Sequence, residues 1–220
     1  TAALTAKEKL LMLSGHFYLL TTLKNILLHG RAYNYSPIRT GAVKRLGIPA
    51  VKFSDGPRGA VMGLSTCFPV SMARGAAFDD ELEYDIGRAI ADEITARGAN
   101  FFGGVCVNLL RNPRWGRAQE SYGEDPYLLG AMGAALTRGI QDRGVVACAK
   151  HYACNSIENL RFKVNVTADE RTLREVYLPH FKACVDAGAV SVMGAYNKLR
   201  GEQCCESAYL LSDVLRSDWG

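Results

Sequence analysis

The sequence predicts an α/β protein built on parallel strands, in the form of an incomplete (β/α)8 barrel. Short apolar runs alternate four times with helical patterns, and this order is typical of a parallel sheet. Each run is apolar throughout, as strands buried on both faces are. No G-x-G-x-x-G turn follows a strand, which disfavours a dinucleotide-binding fold. A closed barrel needs eight units and about 250 residues, so four units predict part of a barrel, and an open sheet also fits the periodicity.

We predict a single domain over residues 1–220, with an irregular or helical lead-in over residues 1–45. The clearest element of the lead-in is a short helix. The capping-box residues Thr5 and Glu8 predict its start. The first strand, IPAVKF at 48–53, then leads into an S-D-G-P turn. A helix follows from Asp79, with one face formed by apolar residues four positions apart: Leu82, Ile86, Ile90 and Ile94.

Three further units follow in the same order, each a predicted strand and then a predicted helix. They are VCVNLL (105–110) with a helix from about Asp125 to Gly144, VVACAK (145–150) with a helix from the capping box TADE (167–170), and VSVMGAY (190–196) with a helix from about Ser207.

The composition is that of a soluble globular protein, with 48% hydrophobic and 22% charged residues. Its basic residues are scattered, so we expect no nucleic-acid partner. No apolar run approaches the roughly 20 residues that cross a bilayer, so we expect no membrane partner and a cytoplasmic location. A secreted or periplasmic location stays open if a leader has been removed.

The seven cysteines lack metal-type spacing, which predicts a reduced protein without metal.

Polar residues lie at the end of each predicted strand, where parallel α/β folds bind their ligands. They are Asp55 after the first strand, Arg114 and Arg117 after the second, Lys150 and His151 at the third, and Tyr196 and Asn197 at the fourth. This set lacks the Ser-His-Asp pattern of acyl transfer. Charged hydrogen-bonding groups beside an aromatic ring instead favour a polyhydroxylated ligand, either a sugar or a phosphorylated metabolite.

Several of these residues also have a purely structural interpretation. Asp55 lies in a good turn sequence, Arg114 with Trp115 could pack a long loop, and Lys150 could be a buried ion-pair partner. The acids Glu124 and Asp125 fit a helix start.

Five motifs occur together in an order that resembles glycoside hydrolase family 3, the β-glucosidase family. They are FSDGPRG, NPRWGRAQESYGEDPYL, ACAKHYA, NVTADERTLREVYLPHF and VMGAYN. The resemblance runs from about residue 36 to the end of the sequence. It implies an N-terminal (β/α)8-type domain that acts on a β-glucoside or oligosaccharide by a retaining mechanism, with no metal or organic cofactor.

The resemblance also implies roles for particular residues. Asp55 is similar to the carboxylate that grips hydroxyls in the terminal-sugar subsite, and Arg117, Lys150 and His151 are similar to its other hydroxyl-binding groups. Tyr196 resembles the tyrosine on the nucleophile's side of the pocket.

Two local differences from the family motifs bear on specificity. Val61 stands where many members have an arginine, and whether Arg58 or another arginine replaces it is open. The sequence KHYACNS differs from the K-H-F-P-G-H-G loop of the β-N-acetylhexosaminidase branch and favours the glucosidase-like branch.

Retaining hydrolysis needs two carboxyl groups about 5 to 5.5 Å apart. The family nucleophile lies in an S-D-W turn after a strand, whereas LLSDVLRSDWG matches the helical segment before that strand. We therefore predict that Asp218 is a helix-end decoy, that the nucleophile lies beyond Gly220 and that the acid/base lies in a later domain. The chain is then an enzyme portion, inactive alone, that needs a missing C-terminal half of the same polypeptide. The alternative is a non-catalytic carbohydrate-binding or regulatory derivative.

Overall fold

The computed structural model describes residues 2–16, 19–30 and 35–220, and its main sheet has six strands. They run in the order β1-β2-β3-β4-β5-β7, and the last four are parallel. A small second sheet contains β6, β8 and β9. The strands are β1 Gly15–His16, β2 Ile38–Thr40, β3 Val51–Asp55, β4 Phe101–Cys106, β5 Val146–Tyr152, β6 Asn165–Val166, β7 Ser191–Gly194, β8 Lys198–Leu199 and β9 Glu202–Gln203.

The described helices lie before, between and after the parallel strands. They are α1 Ala6–Met12, α2 Leu19–His29, α3 Ser71–Gly75, α4 Asp80–Ala96, α5 Pro126–Gln141, α6 Glu170–Thr172, α7 Pro179–Asp186, and the π-type helices Leu173–Tyr177 and Tyr209–Asp218. Helix α4 packs on α5 and α5 packs on α7, while all three contact the parallel strands. A curved parallel sheet with such an outer helical layer is a partial (β/α)8 barrel, as predicted.

The helix boundaries follow from capping chemistry at most of the predicted positions. Asp79 accepts a hydrogen bond from the Leu82 backbone at the start of α4, and Asp125 caps α5. The predicted capping box at Thr167 is wrong, because Asp169 caps α6 by accepting from the Thr172 backbone. The chain just before Thr167 is still an extended strand, in which Val166 pairs with β8.

The second parallel strand begins four residues earlier than predicted and ends at Cys106. Its start contains Gly103 and Gly104, which conceal the apolar pattern of the strand. A Cβ atom on Gly103 would lie 2.2 Å from the Phe53 ring, so the packing of β3 against β4 requires glycine there. The first strand is likewise displaced, and Asp55 is its last residue.

The core lies between the central strands and the helices, and its pattern departs from the predicted one on α4. Leu82 is 47% exposed, whereas Glu83 is 1% exposed and occupies a core position with Ile90 and Ile94. Strands β4 and β5 are buried along almost their whole length, while β3 and β7 are only partly buried. The prediction of strands buried on both faces is therefore right for the two central strands alone.

The lead-in contains more regular structure than predicted. The reciprocal capping box of Thr5 and Glu8 is present on α1. Strands β1 and β2 then extend the sheet by antiparallel pairing onto β3, which was not predicted. Within the lead-in, residues 1, 17, 18 and 31–34 lie outside the described residues. No helix in the described part of the chain is long and apolar enough to cross a membrane.

Candidate active site

The carboxyl ends of the parallel strands bring Asp55 and Lys150 into contact. The Lys150 Nζ atom donates to Asp55 Oδ1 at 3.0 Å, and the Gly56 backbone N–H donates to the same oxygen at 2.8 Å. The Lys150 side chain is 2% exposed, whereas that of Asp55 is 32% exposed. The ammonium group is therefore buried behind a carboxylate that reaches solvent, and the structural interpretation of Lys150 as a buried ion-pair partner is confirmed.

The orientation of His151 is determined by Asn108, which follows β4. Asn108 Nδ2 donates to the His151 carbonyl at 2.9 Å, and Asn108 Oδ1 accepts from the His151 backbone N–H at 2.8 Å. The same oxygen lies 2.9 Å from His151 Nδ1. Because an amide oxygen can only accept, Nδ1 carries the proton and Nε2 has a lone pair.

Arg117 uses that lone pair and fixes the other side of the ring. Its Nη1 atom lies 2.9 Å from His151 Nε2, and since a guanidinium can only donate, the contact requires the same tautomer. The remaining nitrogens of Arg117 donate to both carboxylate oxygens of Glu120, at 2.9 and 2.8 Å. This bidentate pair holds the guanidinium plane in a fixed orientation.

His151 is neutral because of its surroundings. Burial lowers its pKa to about 2, and the positive charges of Arg117, Lys150 and Arg161 act in the same direction. A neutral imidazole between two cations can accept a hydrogen bond without repelling them.

An aromatic and cationic cluster lines the side of the site next to β7. The Arg161 guanidinium carbon lies 4.4 Å from the centroid of the Tyr196 ring, and Phe162 meets the same ring edge-on at 5.1 Å. The Tyr196 centroid is 6.1 Å from that of His151. Glu158 completes the cluster, accepting from Arg161 at 2.9 Å and from the indole of Trp115 at 3.3 Å.

Comparison with known proteins agrees with this architecture. The model of the glycosyl hydrolase family 3 N-terminal domain matches residues 31–220. The chain belongs to glycosyl hydrolase family 3. A β-glucosidase of Kluyveromyces marxianus is 41% identical over 188 residues, and thermostable β-glucosidase B of Acetivibrio thermocellus is 40% identical over 194 residues. Each alignment covers 82% of this chain but only 22% and 26% of the relative, respectively.

Solved structures of family 3 enzymes superpose on the whole chain. β-Glucosidase 3B of Thermotoga neapolitana, in complex with α-D-glucose, has a TM-score of 0.89 and 34% identity, covering 100% of this chain and 32% of its own. The K. marxianus β-glucosidase in complex with glucose has a TM-score of 0.85 and 36% identity, covering 99% of this chain and 25% of its own. The predicted family and barrel-type fold are therefore confirmed, and the chain spans about a quarter of its relatives' length.

The five family 3 sugar-binding candidates lie together, but not every polar residue predicted at a strand end joins them. Asp55, Arg117, Lys150, His151 and Tyr196 are linked through the contacts above, whereas Asn197 is 1% exposed and donates to the Ala153 carbonyl at 3.2 Å. Asn197 thus holds the β5 loop in place. Arg114 is exposed, while its neighbour Trp115 is the residue that packs the loop.

The structure shows the contacts of Asp218, the predicted decoy, and of Val61, which stands where many family members have an arginine. Asp218 is the last residue of the helix Tyr209–Asp218, and its carboxylate accepts from Arg174. Val61 is 40% exposed, and its backbone N–H donates to the Asp55 carbonyl at 3.2 Å. Arg58 is exposed and donates to Cys67 Sγ at 3.1 Å, so its guanidinium is directed to the 58–67 loop.

Sequence reasoning missed four residues that organise the site: Asn108, Glu120, Glu158 and Arg161. Asn108 had a detectable signal, as the one polar residue in the apolar run VCVNLL. Glu120 and Arg117 are three residues apart, a spacing that suits an ion pair on a helical turn. Arg117 directly precedes the 3-10 turn Ala118–Glu120, in which Glu120 is the last residue. The contact of Arg161 with Tyr196 joins two loops and has no sequence signal.

Proposed function

We propose that this chain carries the terminal-sugar subsite of an enzyme that hydrolyses β-D-glucosidic or related β-glycosidic bonds. Asp55, Arg117, Lys150 and His151 would bind sugar hydroxyls, with Tyr196 beside them. The observation that carries the proposal is the convergence of the Asp55–Lys150 and Arg117–His151 contacts at the ends of neighbouring parallel strands. The glucose complexes of the T. neapolitana and K. marxianus enzymes support glucose as the first ligand to test.

The chemistry of the four groups suits a polyhydroxylated ring. Arg117 and Lys150 donate and Asp55 accepts, while the Nε2 lone pair of the neutral His151 would accept from a sugar hydroxyl in place of Arg117. A hydrogen bond between a charged group and a hydroxyl contributes about 1.5 to 3 kcal/mol. Bonds that shorten as the sugar ring distorts toward an oxocarbenium-like transition state would increase the rate as well as the affinity.

The site is held in place before a sugar binds. Glu120 clamps Arg117 through two hydrogen bonds, and Asn108 holds His151 through three contacts. Preorganised groups lose less conformational freedom on binding, so more of the hydrogen-bond energy is available for recognition.

We further propose a retaining mechanism whose nucleophile and acid/base lie outside residues 1–220. Retaining hydrolysis needs one neutral carboxyl group as the acid and one carboxylate as the nucleophile. Near the described site, Asp55, Glu120 and Glu158 each accept a hydrogen bond from a cation, which fits binding or clamping roles.

Titration of the 220-residue chain with D-glucose, followed by 15N NMR, tests the subsite. Lys150→Met removes one charge-assisted bond, so we expect affinity to fall about 10- to 100-fold. Lys163→Met is the matched control, since Lys163 is exposed on the loop after β5, and it should bind as the wild type does. Equal affinity of the Lys150→Met variant and the wild type would contradict the assignment.

Turnover of p-nitrophenyl β-D-glucopyranoside tests the placement of the nucleophile. We expect no turnover by residues 1–220 alone. Turnover that Asp218→Asn abolishes and Asp55→Asn leaves unchanged would overturn the proposal. Binding of glucose without any hydrolysis of the glucoside by the natural protein would instead support the alternative hypothesis of a non-catalytic carbohydrate-binding derivative.

A further inference from the structure

A buried ionic cluster lies between the turn that follows Asp55 and the loop that bears Arg117. It consists of Arg74 on α3, Glu83 on α4 and Tyr122 on the loop after Arg117, which are 3%, 1% and 3% exposed. The Arg74 Nη1 atom lies 3.3 Å from Glu83 Oε1, and the Tyr122 hydroxyl donates to the same oxygen at 2.6 Å. None of the three belongs to the site described above.

One end of the cluster holds the turn that follows Asp55. Arg74 Nη2 donates to the Pro57 carbonyl at 2.7 Å and to Ser71 Oγ at 3.0 Å. Pro57 is two residues from Asp55, and the intervening Gly56 N–H donates to the Asp55 carboxylate. A shift of the guanidinium therefore moves the backbone that orients this carboxylate.

The other end holds the loop that presents Arg117. Tyr122 is two residues after Glu120, the carboxylate that clamps Arg117. The backbone of this loop lies directly on α3, since a Cβ atom on Gly75 would be 2.2 Å from the Tyr122 carbonyl oxygen. The Arg74 guanidinium also lies over the Tyr122 ring, 5.8 Å from its centroid.

The polar pairing inside the cluster is incomplete, which argues against stability as its main role. Among the described residues, Glu83 Oε2 and Arg74 Nε have no hydrogen-bond partner. A buried ion pair with unsatisfied atoms stabilises a fold no better than apolar side chains of the same volume. A shared oxygen does, however, impose a defined distance between the groups that it joins.

We propose that Arg74, Glu83 and Tyr122 form a positioning unit that sets the spacing of Asp55 and Arg117 through the charge on Glu83. The inference rests on the proposed sugar subsite, and it assigns the unit no contact with the sugar. When Glu83 is ionised, its Oε1 atom draws Arg74 and Tyr122 together. When Glu83 is protonated, the attraction for Arg74 is lost and the two loops relax.

Glu83 is suited to this control near neutral pH. Burial raises its pKa to about 7, while the charge of Arg74 and the hydrogen bond from Tyr122 act in the opposite direction. Arg74 comes from α3 and Tyr122 from the loop after Arg117, and these are the titratable groups that act on Glu83 in the described structure.

Two NMR resonances of the 220-residue chain test the proposal without any sugar. The Gly56 amide reports on Asp55, and the Arg117 Nε–H, which donates to Glu120, reports on Arg117. In the wild type, both should shift with one common midpoint near pH 7, the value to which burial raises the pKa of Glu83. In Glu83→Gln, which keeps the acceptor for Tyr122, both should be flat, whereas the exposed matched control Glu81→Gln should titrate as the wild type does.

Tyr122→Phe distinguishes a positioning unit from a merely structural cluster. The variant keeps the ring under Arg74 but loses the hydroxyl, so the Arg117 resonance should stop titrating while the Gly56 resonance still does. Wild-type resonances that do not shift, or that shift equally in Glu83→Gln, would overturn the proposal.

Binding of D-glucose gives the functional readout. If Glu83 sets the spacing, Glu83→Gln should weaken binding about tenfold at pH 8, where wild-type Glu83 is ionised, and much less at pH 5.5. If Glu83→Gln binds glucose at pH 8 as tightly as the wild type does, the positioning unit does not control the sugar site. If the wild type does not bind glucose, the proposed subsite fails, while the two resonances still decide the positioning proposal.

Discussion

Burial and nearby positive charges keep His151 neutral, and Asn108→Asp tests the site geometry by placing a negative charge beside the ring. Asn108 Oδ1 lies 2.9 Å from His151 Nδ1, and burial with nearby cations lowers the pKa of His151 to about 2. The substitution places a negative charge at that distance with almost no change in volume. At an effective dielectric constant of about 20, this contact is worth about 6 kcal/mol, or about four pKa units.

We therefore expect the pKa of His151 to rise to about 6 in the Asn108→Asp variant. Long-range 1H–15N NMR of the imidazole measures both its charge and its tautomer. At pH 5 the wild-type ring should be neutral with the proton on Nδ1, whereas the ring of the variant should be mostly doubly protonated.

Asn108→Leu is the control, because it removes the same hydrogen bonds without adding charge. Its ring should stay neutral at pH 5, and the lost hydrogen bonds should lower the free energy of unfolding by about 1 to 3 kcal/mol. If the ring in Asn108→Asp also stays neutral at pH 5, the carboxylate does not face Nδ1 and our account of the site geometry is refuted.

Three other expectations follow from the surroundings of single residues. Asp218→Asn breaks an exposed ion pair with Arg174, so the free energy of unfolding should change by less than about 1 kcal/mol. The affinity for glucose should be unchanged, and loss of glucose binding would contradict the decoy assignment. The pKa of Glu83 is about 7 in the fold and about 4.5 in the unfolded chain, so its protonated form stabilises the fold fully below pH 4.5. This contribution of about 3 kcal/mol should be lost as pH rises to 7, and urea unfolding of the wild type should have this pH dependence while Glu83→Gln lacks it. Gly139→Ala should destabilise the chain by about 1 to 3 kcal/mol in thermal melts despite the better helix propensity of alanine, because the new Cβ would lie 2.2 Å from the Tyr84 carbonyl oxygen; a rise in melting temperature would show that the contact between α4 and α5 is looser.

Much of the barrel architecture can be predicted from the sequence, because it depends on local patterns. The apolar run of β5 and the capping residues Asp79 and Asp125 mark their elements correctly. The start of β4 was missed because Gly103 and Gly104 lack side chains, and their role appears only when Phe53 packs against them. A hydrophobic pattern cannot indicate a strand position that requires glycine, because glycine has no side chain to contribute to the pattern.

The candidate site divides in the same way. Asp55 and Lys150 could be predicted to meet, because parallel strands end at one edge of the sheet. The role of Asn108 in orienting His151 could not, since it depends on which atoms of two strand ends face each other. Glu83 was even less visible, because the helical period assigned the buried face to Leu82 and the cluster that receives Glu83 comes from two distant loops.

The sequence alone determined the family, the alternation of the four parallel strands with helices and the set of polar groups at the strand ends, because motifs, periodicity and capping are properties of neighbouring residues. The tertiary structure decided the tautomer of His151, the clamp on Arg117 and the burial of Glu83. These depend on hydrogen-bond partners and dielectric surroundings that residues far apart in the chain create only when the sheet and its loops are assembled.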